Sequence, residues 1–167
     1  RGILLFLLLM CSCIATPSEG VVPAADAGRT KIRAKEALTY CKSKSYNRDF
    51  CILVDMSLHS GVKRFFIWDF KADSIVSRFM VGHGCCSQPW GLDATRDRPA
   101  FSNQEGSHCS SLGKYKVGER GYSNWGIHVK YNLVGLESSN KNAMSRSIVL
   151  HSWEEIPDHE VYPAGTA

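Results

Sequence analysis

Three short runs between Phe50 and Val81 restrict this chain more than any other feature. "FCILVDMS" and "RFFIWDF" are apolar runs, and "DSIVSRFMV" follows the second across only Lys71 to Asp73. They are rich in β-branched and aromatic residues and too short for helices. Each reads as a strand, and the last two read as a hairpin. Further on, "WGIHVKY" alternates, with Trp125, Ile127, Val129 and Tyr131 on one face and Gly126, His128 and Lys130 on the other. "SIVLHSW" reads as a last strand with Val149, His151 and Trp153 on one face. Helical periodicity is confined to Thr30–Lys44, where Ile32, Leu38 and Cys41 share a face with Ala34 and Ala37, and to "SSNKNAMSR", read as one short helix. The 167 residues suffice for one domain with a real core. The expected class is mainly β, with one or two peripheral helices and no internal repeat.

The opening "RGILLFLLLMCSCIA" does not belong to that pattern. One arginine precedes an apolar run from Ile3 to Met10, too short to span a bilayer. It matches the apolar core of a secretory signal, followed by small residues where a peptidase can cut. A buried core helix is the alternative, but a polar Pro/Ser/Gly stretch follows directly and favours export. Cleavage after Ala15 would release a soluble protein. Cleavage before Cys13 or Cys11 would leave a lipid-modified cysteine, the single membrane attachment expected. The expected organisation is 1–15 as signal peptide or lipoprotein signal, 16–29 as linker and 30–167 as one domain. The first residue is Arg rather than Met, so upstream residues are expected.

The net charge of +4 falls by one without Arg1, and no dense Lys/Arg block interleaves with aromatics, so no nucleic-acid partner is expected. Seven cysteines include Cys11 and Cys13 in the leader and then Cys41, Cys51, Cys85, Cys86 and Cys109. An odd number leaves at least one unpaired, adjacent Cys85 and Cys86 are poorly placed to bond each other, and no disulfide framework is expected.

The stretch from Gly82 to Ser111 is polar and rich in Gly, Ser, Pro and Asp, and a loop of that length in a compact domain is usually functional or disordered. It contains "VGHGCCSQPW". As a zinc set, His83, Cys85, Cys86, His108 and Cys109 have the right donors and the wrong spacing: there is no C-x-x-C, and adjacent ligands cannot easily take two corners of a tetrahedron. No metal and no other cofactor is expected. Cys85 as a nucleophile would need a base, and His83 is only two residues away, whereas such a base usually comes from elsewhere in the fold. The plainer reading is a loop cysteine beside a glycine hinge. His151, near the end of a strand, is either an aimed imidazole or a hydrogen-bonded core histidine.

From Phe101 to His151 the chain resembles the murein-active L,D-transpeptidase catalytic domain family, with its YkuD-like fold. The matching residues run in order: Phe101-Ser102-Asn103, Gly106-Ser107, Ser110-Ser111-Leu112-Gly113-Lys114-Tyr115, Gly135-Leu136, Asn140, Asn142-Ala143 and Arg146-Ser147-Ile148-Val149-Leu150-His151. Upstream, Asp55, Ser57, Arg64-Phe65 and Val81-Gly82-His83-Gly84 also match.

The resemblance implies a YkuD-like mixed β-sheet or sandwich domain. It implies His151 as catalytic base and places the nucleophilic cysteine after a downstream loop, in a Gly-Cys element. The sequence reaches Ala167 without that element, so the nucleophile is expected beyond it, and the 167 residues alone are expected to be inactive. "HGCC" then mimics the motif, and Cys85 and Cys86 are loop residues. His83, Gly84, Ser102, Asn103, Ser107, Ser110, Ser111 and Arg146 are expected to line the substrate groove, with Arg146 placed to meet a carboxylate. The implied partner is the peptidoglycan stem peptide, the implied setting the periplasm or cell envelope, and the protein is expected to act as a monomer. The alternative function is a non-catalytic peptidoglycan-binding envelope protein.

Overall fold

The computed structural model describes residues 24–89 and 95–165. One helix and six strands follow in order: α1 (Ala27–Lys44), β1 (Phe50–Val54), β2 (Phe65–Asp69), β3 (Ser74–Phe79), β4 (Tyr115–Tyr122), β5 (Val129–Gly135) and β6 (Val149–His151). The mainly β class expected from the strand runs is what forms. The strands make two antiparallel three-stranded sheets, β1-β2-β3 and β4-β5-β6. Among the described residues parallel pairing is seen only in the isolated bridge between Phe101 and Ser110.

The first sheet follows directly from its sequence. Phe50 pairs with Asp69 and Val54 with Phe65, and the hairpin returns with Phe65 opposite Phe79. Asp69 closes the turn by accepting from the amides of Lys71 and Ala72. Alternation on β2 buries Phe66 and Trp68. Phe66 joins Leu58 and Val62 in the core, and Ala25, Leu53, Ile75 and Tyr162 pack around them. Leu58, Val62 and Phe66 each contribute about 1.5–3 kcal/mol by leaving water.

Helix α1 begins at Ala27 rather than Thr30, taking in residues expected to be linker. Asp26 accepts from the Arg29 amide and so caps one of the unpaired donors of the first turn. Ser45 ends the helix in the left-handed conformation, with Lys42 and Lys44 in the last turn, where cations suit the dipole. The inner face carries Thr30 and Ala34, whereas Ile32 is 58% exposed, so the face predicted through Ile32 is rotated outward. α1 lies against β1. Lys114, just before β4, sits over the ring of Tyr40 in α1, and Lys116 of β4 over that of Tyr46, just past the helix.

The second sheet departs from expectation in three places. β4 was not foreseen, because Gly118, Gly121 and its charged residues hide the strand period, and its pairing with β5 slips between Val117 and Arg120. The alternating run from Trp125 is not strand until Val129. Gly126 and His128 are left-handed, and the segment reverses the chain from β4 into β5. The helix predicted over Ser138–Arg146 is instead a string of turns. Its amides bond carbonyls three or four residues back in separate turns, as Asn140 to Glu137, Ala143 to Asn140 and Arg146 to Asn142, and the Asn140 side chain ties the segment to its flanks by accepting from the Glu137 amide and donating to the Lys114 carbonyl. Asn and Ser compete in this way with the helical ladder. β6 is shorter than predicted and ends at His151, leaving Trp153 outside it.

The apolar run Ile3–Met10 lies outside the described residues. Among those described, no helix is long and apolar enough to cross a membrane.

Candidate active site

His151 is the last residue of β6 and pairs with Lys130 of β5. Its Nδ1 lies 2.9 Å from the carbonyl oxygen of Ser152. A carbonyl only accepts, so Nδ1 carries the proton and donates it. In neutral His151 this leaves Nε2 with its lone pair, ready to take a proton from an acid such as a thiol. The Trp125 ring lies 5.4 Å from the imidazole, tilted by 41°. The turn bearing Trp125 is tied to the residues after His151: the Ile127 amide donates to Ser152 Oγ at 2.9 Å, and the Gly126 amide to Glu154 Oε1 at 2.7 Å. At the turn's other end His128 stacks on Tyr122, centroids 5.7 Å apart. Trp125, Ile127 and Tyr122 are exposed, so this end of the sheet presents an aromatic surface beside the imidazole.

Three of the expected groove residues, Ser102, Ser107 and Ser111, are hydrogen-bonded to Arg146. Its Nη1 donates to the Ser102 carbonyl and to Ser111 Oγ, and its Nη2 to Ser107 Oγ and the Cys109 carbonyl. Ser111 Oγ in turn donates to the Ser102 carbonyl. Asn103 accepts from the Asn142 amide, and Asn142 Nδ2 donates back to the Asn103 carbonyl. Ser110 Oγ accepts from the Gly84 amide. The structure thus brings Ser102, Ser107 and Ser111 onto Arg146, while Asn103 turns to Asn142 and Ser138 and Ser110 to Gly84. They hold the 102–111 loop in shape. No hydrogen bond or ring contact joins His151 to this cluster among the described residues.

His83 sits apart, buried against Arg64. The fully buried guanidinium donates to His83 Nδ1 and to the carbonyls of Val81 and Leu58. Arginine cannot accept, so Nε2 carries the imidazole proton and gives it to Thr95 Oγ1 at 2.8 Å.

The cysteines correct one expectation. Cys86 and Cys109 form a disulfide, where no framework was predicted. The pairing depends on the 82–111 loop folding back on itself. The Gly84 backbone passes so close to the returning strand that a Cβ there would stand 2.8 Å from the Ser110 nitrogen. That approach sets Cys86 beside Cys109, and no local spacing signals it. Cys85 is a buried free thiol. Cys41 and Cys51 are free thiols, and burial, with Cys41 adding, pushes the Cys51 thiol up to about 11. The donor set considered for zinc is divided by the disulfide, and no metal-holding group of three or more His, Cys, Asp or Glu occurs among the described residues.

Sequence reasoning singled out His151 but missed Trp125, Ser152 and Glu154 around it. The one available signal was Gly126, a glycine interrupting an otherwise apolar alternation.

Compared with known proteins, residues 25–166 match the family model described as L,D-transpeptidase catalytic domain. No curated protein and no solved structure matches the chain.

Proposed function

The chain belongs to the L,D-transpeptidase catalytic domain family, and from that premise we propose that it carries the base of a cysteine acyl transferase acting on peptidoglycan stem peptides. The observation that carries the proposal is the His151 tautomer. Its Nδ1 proton on the Ser152 carbonyl leaves Nε2 as acceptor at an exposed end of the sheet.

Four of the chain's own cysteines are poorly suited to be the nucleophile. Cys86 and Cys109 are bonded to each other, Cys85 is buried and Cys51 resists ionisation. We therefore place the nucleophile in chain following the loop after His151. A thiol there would give its proton to Nε2. The thiolate would add to the carbonyl carbon of an L-centre, and collapse of the adduct would break the C–N bond while imidazolium protonates the departing D-alanine amine. An amine of a second stem peptide, deprotonated by His151, would then attack the thioester, forming a crosslink and releasing thiolate. Water in its place would give carboxypeptidase action.

Export to the cell envelope, with or without a lipid anchor, belongs to the same proposal. The Cys86–Cys109 disulfide supports it, since such bonds persist in oxidising compartments.

The test is D-alanine release from purified tetrapeptide muropeptides by the native full-length protein. Loss of roughly 10²-fold or more in His151→Ala is expected, the scale of a general base. An unchanged rate in that variant would overturn the assignment. Residues 1–167 alone are expected to release none, and release at the native rate would place the nucleophile among their own cysteines. Murein binding without turnover by the native protein would favour a non-catalytic envelope module.

A further inference from the structure

The turn from Ser123 to His128 has no regular strand pairing of its own. Gly126 and His128 are both left-handed, so its position depends on what receives its amides. Two consecutive amides are received by side chains from beyond His151: Gly126 by Glu154 at 2.7 Å and Ile127 by Ser152 at 2.9 Å. The residue before them, Trp125, lays its ring against His151. The Glu154 carboxyl is held below the usual carboxylate range, first by backbone amides (its own and that of Gly126), then by the charges of His128 and His151. It is therefore a carboxylate at neutral pH, a stronger acceptor than a neutral group. Acyl transfer by His151 makes no direct use of it.

We infer that Glu154 is a positioning residue for His151: by holding the Gly126 amide it keeps the Trp125 ring against the imidazole and so fixes the plane in which Nε2 meets its proton donor. Ser152 orients the imidazole directly by accepting from Nδ1. Two neighbouring residues of one short segment thus reach the imidazole, one directly and one through the turn. The inference rests on the reading of His151 as base, yet its geometric half can be tested without turnover.

The experiment compares Glu154→Gln and Glu154→Ala with the native full-length protein. The first readout is the nuclear Overhauser contact between the Trp125 indole and the His151 ring, and the second is kcat and KM for D-alanine release. Glutamine keeps a carbonyl acceptor for the Gly126 amide. It should retain the contact and a kcat within about twofold. Alanine should lose the contact and lower kcat about tenfold with KM little changed, because misorientation of a reacting group is felt in the chemical step. A retained contact and kcat in Glu154→Ala would overturn the inference. So would equal losses in both variants, since the hydrogen bond would then not be the cause. If His151→Ala keeps the native rate, the assignment of the base falls, and the ring contact still decides whether Glu154 latches the turn.

Discussion

Ser152 fills the space that a side chain at Gly126 would need. A Cβ at Gly126 would stand 2.5 Å from the Ser152 carbonyl oxygen and closer still to its hydroxyl. That carbonyl is the acceptor for His151 Nδ1. The glycine is thus required twice, for its left-handed backbone and for the approach of the turn. Gly126→Ala is expected to cost about 2–3 kcal/mol, combining left-handed strain with displacement of Ser152. Activity should fall by more than the lost folded fraction explains, because the His151 acceptor moves. Chemical denaturation together with kinetics at a temperature where both proteins are folded separates the two effects.

The Cys86–Cys109 disulfide closes a segment of sequence separation 23. Breaking it with Cys86→Ala should destabilise the protein by about 3 kcal/mol through release of chain entropy in the unfolded state. Cys85→Ala, next to it in sequence but buried and unbonded, should cost only about 1 kcal/mol. Denaturation midpoints of the two variants, with and without reductant, test the difference. Reductant should lower the stability of the native protein and of Cys85→Ala and leave Cys86→Ala unmoved.

The two sheets were unequally legible in the sequence. Phe50–Phe79 could be read because β-branched and aromatic residues there follow the strand period and the buried positions Phe66 and Trp68 obey it. β4 could not, since Gly118, Gly121 and exposed charges carry no period. The run at Trp125 misled for the opposite reason. Its apolar residues alternate, but Trp125 and Ile127 are exposed, and the residues between and after them are left-handed. His151 was legible as an imidazole carried by a strand. Its surroundings were not, because Trp125, Ser152 and Glu154 meet through a turn whose conformation no period encodes. The Arg146 cluster was legible only as a set of polar residues, since its bonds join residues far apart in sequence.

Lys114 and Glu137 tie the start of β4 to the turns that follow β5. Glu137 accepts from the Lys114 backbone amide and from its ammonium, each at 2.8 Å. The Lys114 side chain, then its amide, hold the Glu137 carboxyl below its ordinary value of 4.5, and Glu137 raises Lys114 above its ordinary 10.5. A lowered carboxyl contributes stability that is fully present above its unfolded value and is lost as pH falls through the folded one. A raised ammonium contributes stability that is present below its unfolded value and is lost as pH rises through the folded one. The pair therefore stabilises from weakly acidic pH to beyond 10.5. Glu137→Gln should lower the melting temperature at neutral pH, and the gap from the native protein should close in acid. A gap of equal size in acid would refute the ionic origin. Both groups are exposed, so the effect should be small and weaken with salt.

Arg146 makes four hydrogen bonds to the 102–111 loop, two of them to the backbone carbonyls of Ser102 and Cys109. Lysine keeps the charge but lacks the planar fork that reaches several acceptors at once. Arg146→Lys should therefore lose most of the clamp, and Arg146→Ala all of it. Leaving the part-buried Cys109 carbonyl without its donor and the Ser102 carbonyl with one donor fewer should make the alanine variant about 2–4 kcal/mol less stable, with the lysine variant close behind. The loss should be local before it is global. Phe101–Ser111 should exchange amide hydrogens faster, while β1–β3, which Arg146 does not touch, keep their protection. The Cys86–Cys109 bond still restrains one end of the loop, so protection should fall most between Ser102 and Ser107. If Arg146→Lys matches the native protein in both stability and exchange, charge rather than the fork shapes the loop.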